Sequence, residues 1–272
     1  MTKNLDKEGL RAIFRNYDLF FIDLWGVVHN GIELNKDAIN VLTEITKAKK
    51  DYILLTNAPR PKKNVEDFLE KMGLDKNKRE KVFTSGEAAL SFLKEQSLAH
   101  SFYHIGPPRD FDLFIDFKKN KTEKIDRSDY LLCTGLFDDY EDDLNYYKEL
   151  LFNCISKKMI CTNPDLIVDR GKKREYCAGS IAMIFEKLGG KVIYFGKPHP
   201  EVYNQSTELN NKKVIAIGDN LRTDIKGANN MNYDSLFITS GIHKTEIQKE
   251  GITNVLKKYN VDTTYYQSVL KW

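Results

Sequence analysis

The chain has 272 residues, 41% hydrophobic and 30% charged, with a formal net charge of +3. That balance excludes a disordered or low-complexity chain and leaves apolar surface for a sizeable core with room for two domains. The lysine clusters at 47–50, 76–81, 118–121 and 172–174 are interleaved with or flanked by some of the 39 acidic residues, so they read as solvated helix ends and loops and not as a nucleic-acid surface. Cys133, Cys154, Cys161 and Cys177 form neither a CxxC pair nor a Cys/His zinc spacing, and are expected as small core residues in a reduced compartment. The first residues, MTKNLDKEGL, are polar, and no window approaches the roughly twenty apolar residues of a membrane span. A cytoplasmic protein that engages no membrane is expected.

In chain order, residues 5–16 carry helical spacing (Leu10, Ile13, Phe14). The stretch LFFIDLWGVVHNG at 19–31 follows: four apolar residues run into Asp23, which reads as a buried parallel strand turning out into a loop. Residues 37–50 place Ala38, Val41, Leu42 and Ile45 on one helical face, and 52–55 form a second strand closed by Thr56, Asn57 and Pro59. A helix over 65–72, a strand over 82–84 and a helix over 87–94 come next. Strands at 102–105, 130–134 and 159–162, with helices over 142–156 and 180–188, make an inserted α/β unit. The last third returns to the opening pattern, with strands at 192–195, 214–217 and 235–239 ending in GKPHP, GDNLRTD and SGIH. This organisation predicts an α/β protein: a Rossmann-like parallel-sheet core from 1–83 and 191–272, and an inserted domain over 84–190.

If the outer strands share one sheet, their carboxyl ends converge on one edge, where open α/β sheets carry their sites. Asp23, Thr56 with Asn57, Lys197, and Asp219 with Asp224 would then meet. A carboxylate nucleophile, oxyanion donors, a cation and further acids are the equipment for phosphoryl transfer through an aspartyl-phosphate with a magnesium ion. Each group also has a plainer reading: Asp23 and Asp219 could cap turns or helices, Thr56 and Asn57 could form a turn, and Lys197 could be a surface lysine.

Four segments in order, DLWGVVHNG, LLTNAPRP, GKPHP and GDNLRTDI, resemble the motifs of the haloacid dehalogenase (HAD) superfamily. The insert between the second and third, with CTNPD inside it, is similar to the α/β cap (C2 type) of the class IIA branch, which includes N-acetylglucosamine-phosphatase-like and 4-nitrophenylphosphatase-like enzymes. The resemblance implies Asp23 as nucleophile and Mg2+ ligand, with the main-chain carbonyl of Trp25, Asp219 and Asp224 completing the metal site. It implies Thr56, Asn57 and Lys197 as phosphate-binding, Lys197 also acting in catalysis. Asn163, Asp165 and the pair Gly179 and Ser180 would face a small phosphorylated substrate, and a homodimer would fit the class.

One position departs from the pattern. Where the family usually has a second Asp as general acid, this chain has Trp25, whose indole does not titrate in the useful range. General acid help is typically worth ~10²–10⁴ in rate, so the loss should fall on substrates with basic leaving groups and spare acyl, anhydride or aryl phosphates. His29 is the nearest replacement in sequence. The opposing expectation is a non-catalytic phospho-ligand-binding protein that keeps the fold and the metal site.

Overall fold

The computed structural model describes residues 2–95, 100–170, 173–209 and 211–272. Lys172, in the last of the basic clusters, lies outside them. The strands are β1 (Lys3–Asn4), β2 (Leu19–Ile22), β3 (Asp51–Thr56) and β4 (Val82–Thr84), then β5 (Phe102–Ile105), β6 (Tyr130–Cys133) and β7 (Lys158–Cys161). A two-stranded hairpin, β8 (Ile167–Arg170) and β9 (Lys173–Tyr176), precedes β10 (Lys191–Tyr194), and β11 (Val214–Gly218), β12 (Asp234–Ile238) and β13 (Tyr265–Gln267) close the chain.

Seven strands form one parallel sheet in the order β1-β13-β12-β11-β2-β3-β4. From β2 the chain winds outward through β3 and β4 on one side, and through β11, β12 and β13 on the other. The order therefore reverses between β2 and β11, the place where an open α/β sheet leaves a crevice at its carboxyl edge. Successive residues of β2 point to opposite faces, and both faces are covered. Phe20 and Ile22 pack with Val41, Leu42 and Ile45 of the helix Lys36–Lys47, whose first turn is capped by the Asn35 side chain accepting from the Asp37 amide at 3.1 Å. Leu19 and Phe21 pack on the other face with Val202 and Tyr203 of the helix Pro200–Ser206.

The second sheet runs β10-β7-β6-β5, also parallel. Tyr130, Leu132 and Ile160 from one of its faces join the same apolar cluster as Leu19 and Phe21, so the two sheets share a packed layer. Its other face carries Leu131, Cys133, Met159 and Cys161 against Tyr147, Leu151, Ile181 and Phe185 of two helices. All four cysteines are buried and free, as small core residues. No helix among the described residues is long and apolar enough to cross a membrane.

Three expectations need correcting. The strand at 192–195 does not rejoin the large sheet: β10 pairs with β7, Val192 opposite Met159, because each crossover in this unit lays the next parallel strand beside the last. By strand pairing the smaller unit therefore runs past residue 191 to Tyr194, while Thr84 still belongs to the large sheet. Residues 5–16 are not a helix but two short 3₁₀ turns, Leu10–Ala12 and Phe14–Asn16. Gly9 breaks the pattern at φ 74°, where the Leu10 amide donates to the Lys271 carbonyl and a Cβ on Gly9 would sit 2.1 Å from the Trp272 backbone. The helix expected over 142–156 is confined to Leu144–Phe152.

Candidate active site

Asp23 follows β2 directly, and its amide extends the ladder by donating to the Ile217 carbonyl of β11 at 2.9 Å. Its side chain is buried at the crevice between these strands. Asp219 follows β11. Asp224 lies in a single π-helical turn, Leu221–Ile225, which wraps back under the strand end so that Asp224 Oδ2 accepts from the Asn220 amide at 3.1 Å. One carboxylate oxygen each from Asp23, Asp219 and Asp224 all lie within 4.8 Å of one another.

Lys197 enters this cluster from the loop after β10, so the smaller sheet's last strand delivers it. Its ammonium bridges Asp23 Oδ1 at 2.5 Å and Asp224 Oδ1 at 2.7 Å, and all three side chains are buried. Burial alone would lower the lysine's pKa, but Asp224 and Asp23 raise it, so it stays charged. Burial also pushes the Asp23 carboxyl well above the usual carboxylate range, with Asp224 adding to the rise and Lys197 opposing it. The same causes, burial first and then Asp224, raise Asp219 to about 7. Three carboxylates against one ammonium leave an excess of negative charge on hard oxygen donors, the donor set that a divalent cation such as Mg2+ prefers.

Close backbone approach fixes the acids. Asp219 Oδ2 accepts from the Ile242 amide at 2.9 Å. A Cβ on Gly26, which sits at φ 83°, would lie 2.2 Å from Asp219 Oδ2, and one on Gly241 would lie 1.9 Å from it. The loops after β2 and β12 thus need glycine to close around Asp219. His243 is a supporting residue whose part the sequence hid: its Nε2 accepts from the Leu221 amide at 3.2 Å and its Nδ1 meets Glu246 at 3.0 Å, pinning the start of the π-turn. Only its place as the last residue of SGIH pointed to it.

Thr56 ends β3, and its Oγ1 accepts from the Ala58 amide at 3.2 Å. The Asn57 side chain ties two loops together. Its Oδ1 accepts from the Lys197 amide at 2.7 Å, and its Nδ2 donates to the Lys197 carbonyl at 3.0 Å and to Asp165 Oδ1 at 3.3 Å. The structure therefore brings Asp23, Thr56, Asn57, Asp165, Lys197 and Asp219 to the wall of one cavity, with Asp224 behind Lys197. Asn163 lines the adjoining cavity and accepts from the Asp165 amide through its side chain at 3.0 Å, forming the turn that presents Asp165.

Gly179 and Ser180 do not face the cavity. The Gly179 amide donates to the Asp165 carbonyl at 3.1 Å, and Ser180 Oγ donates to the Leu166 carbonyl at 2.6 Å, so the start of their helix clamps the loop from behind. A Cβ on Gly179 would lie 2.3 Å from the Pro164 carbonyl oxygen.

Trp25 lines two cavities that share Thr56, Asn57 and Asp165 in their walls. Its indole N–H donates to the Asp169 carbonyl of β8 at 2.7 Å, tying the loop after β2 to the hairpin of the smaller unit. His29 stands edge-on to the Trp25 ring with centroids 5.1 Å apart, and Phe68 lies beyond it at 5.6 Å. The His29 Nδ1 accepts from the Gly31 amide at 3.0 Å, which places the proton of the neutral ring on Nε2. The second of these cavities, whose wall does not include Asp23, Asp219 or Asp224, includes Arg60, Arg109 and Tyr176, none of which stood out in the sequence.

The comparisons with known proteins agree with this geometry. Residues 20–117 match a family described as haloacid dehalogenase-like hydrolase, and residues 194–262 match a second HAD-hydrolase-like family. An acid sugar phosphatase of Staphylococcus saprophyticus is 24% identical over 254 residues, covering 88% of this chain and 93% of that protein. A 5′-nucleotidase of Bacillus subtilis is 24% identical over 241 residues, covering 85% and 91%. The crystal structure of a haloacid dehalogenase-like hydrolase from Brucella suis superposes with a TM-score of 0.84 at 29% identity, covering 97% of this chain and 99% of that one. With DLWGVVHNG, LLTNAPRP and GDNLRTDI at one edge of the large sheet, GKPHP brought beside them by β10, and the smaller α/β sheet inserted between the second and third segments, the chain belongs to the haloacid dehalogenase-like hydrolases, in their class IIA branch.

Proposed function

We propose that the protein is a Mg2+-dependent phosphatase acting on monoesters of small metabolites, of the sugar- or nucleotide-phosphate class that its relatives' names carry, through an aspartyl-phosphate on Asp23. The observation that supports it most is the buried Lys197 ammonium held at 2.5 Å from Asp23 and 2.7 Å from Asp224, beside Asp219. Asp23, Asp219 and Asp224, with the main-chain carbonyl of Trp25, would hold the ion. Bound there it offsets the charge of the phosphoryl oxygens.

The chain's own groups account for the remaining steps. Asp23 attacks phosphorus, the ester P–O bond breaks, and the oxygen leaves toward the second cavity. Lys197 neutralises the charge between nucleophile and phosphoryl group, Thr56 donates to an equatorial oxygen, and Asn57 holds the Lys197 backbone in place. Water then cleaves the acyl phosphate and restores Asp23. The smaller sheet with its hairpin acts as the cap, excluding bulk water while the intermediate exists. Trp25 contributes its ring as a wall and its N–H as a tether between cap and core.

The test is release of inorganic phosphate from p-nitrophenyl phosphate, glucose 6-phosphate and nucleoside 5′-monophosphates, with Mg2+ and with chelator. Turnover that requires Mg2+ is expected. Trp25 in place of the usual acid favours the second reading, a phospho-ligand-binding protein, and that reading predicts saturable binding of these esters with no release of phosphate from any of them.

The tether can be tested separately. Trp25→Phe keeps the ring and removes the donor to Asp169; losing one hydrogen bond of ~1 kcal/mol should raise KM about fivefold. A fall confined to kcat would instead place the indole N–H at the reacting centre.

A further inference from the structure

The leaving oxygen of an alkyl phosphate needs a proton, and Trp25 has none to give. Resting on the phosphatase reading above, we propose that Asp165, carried by the smaller sheet, is the catalytic acid that protonates the leaving group in place of a residue on the nucleophile loop.

Three observations support this. First, Asp165 borders both cavities: the one that holds Asp23, Lys197 and Asp219, and the second, which would receive the leaving group. It is thus a carboxylate at the junction where the ester oxygen would lie, and among the described residues it is not part of the three-acid cluster. Second, its position is built. The Asn163 side chain accepts from its amide, the Gly179 amide donates to its carbonyl, and Asn57 Nδ2 donates to its Oδ1. Asn57 in turn fixes the Lys197 backbone, so a short chain of contacts links Asp165 to the ammonium that grips Asp23. Glycine is needed at 179 for the helix to approach this loop closely.

Third, the surroundings suit a carboxylic acid. From the large-sheet side Lys197, Asp224 and Asp219 face it, with the Thr223 hydroxyl; from its own side the Cys161 and Cys177 thiols do. Enclosure between the two sheets is the largest influence and raises its carboxyl to about 6, against the opposing pull of Lys197. A phosphate dianion arriving beside it would raise the carboxyl further, since like charge disfavours the ionised form. An ionised Asp165 would repel the substrate, whereas a protonated one can donate to it.

The step balances. As Asp23 bonds to phosphorus and the P–O bond breaks, the electron pair stays on the leaving oxygen and the Asp165 proton moves to it, giving the free alcohol and the Asp165 carboxylate. That carboxylate then takes a proton from the water that attacks the aspartyl-phosphate, so Asp165 and Asp23 both return to their starting states.

The test compares Asp165→Asn and Asp165→Glu with wild type on glucose 6-phosphate, a basic leaving group, and p-nitrophenyl phosphate, a good one, both with Mg2+. Asparagine keeps the size and the contact with Asn57 but cannot supply the proton. For Asp165→Asn the kcat on glucose 6-phosphate should fall about 10²-fold further than the kcat on p-nitrophenyl phosphate, and Asp165→Glu should restore part of that gap. Equal losses on the two esters in Asp165→Asn would overturn the proposal and leave Asp165 as a binding residue, and unchanged rates on both would overturn it as well. Residual turnover of p-nitrophenyl phosphate also reports that the variant is folded. If wild type releases phosphate from neither ester, the phosphatase reading fails first and carries this proposal with it; the equal-loss result overturns the proposal alone.

Discussion

Asp23→Asn is expected to lower kcat on every phosphate ester by at least about 10⁴-fold, the scale on which loss of a covalent nucleophile registers. The loss should not depend on leaving group, because the first bond to phosphorus cannot form whatever its partner. This separates Asp23 from Asp165, whose substitution should discriminate between esters. The variant should remain folded. Asparagine fills nearly the same volume, and the exchange removes one of three carboxylates that lie within 4.8 Å of one another. Lys197 keeps Asp224 at 2.7 Å as its partner. Thermal unfolding in chelator should therefore show a Tm equal to or above that of wild type, while the rise in Tm on adding Mg2+ should shrink with the loss of one ligand.

Lys197→Met should act on stability as well as on rate. The methionine matches the length of the lysine stem but leaves Asp23 and Asp224 buried with no cation, beside Asp219. Removing one partner from a buried ion pair costs about 3–5 kcal/mol, which for a chain of this size corresponds to a fall in Tm of roughly 10 °C. The sign of the pH dependence follows from the carboxylates. Burial and mutual repulsion already hold Asp23 and Asp219 above their ordinary value of 3.8, Asp219 at about 7, and losing Lys197 raises both further. A carboxyl raised in the folded state favours folding when protonated, so its contribution is present below the unfolded value near 3.8 and is lost as pH rises through the folded value. The variant's deficit, measured by thermal melts in chelator, should thus widen as pH rises through about 7 and above, where wild type has already released a proton that the folded variant still holds. Adding Mg2+ should recover part of it by supplying the missing positive charge. A deficit that is flat with pH would mean that the lysine stem, and not its charge, supports the fold.

Much of this centre was legible in the chain. An apolar run ending in Asp23 reads as a buried parallel strand because all four of its residues must be covered, and β2 lies inside the large sheet between β11 and β3. The spacing of Ala38, Val41, Leu42 and Ile45 gave the covering helix for the same reason. The placement of β10 was not legible. Its four residues carry no mark of which sheet they join, and the pairing with β7 is a property of the folded chain. The contacts that explain Trp25 were equally hidden, since its indole meets Asp169, 144 residues away. Asp165 could be named from NPD, but its access to both cavities depends on the docking of two sheets through one apolar layer. Gly179 and Ser180 show the converse: polar or small residues near a motif can serve the backbone behind it, here by clamping the 163–166 loop.

The central claim is that Asp23 becomes phosphorylated. Acid-quenching the Mg2+-loaded protein during turnover of p-nitrophenyl phosphate, followed by peptide mass analysis, tests it most directly. The account predicts a phosphoryl group on the peptide containing Asp23, removed by hydroxylamine as an acyl phosphate should be, and absent from Asp23→Asn. Steady turnover with no phosphoryl group on that peptide, together with phosphate release that survives in Asp23→Asn, would contradict it.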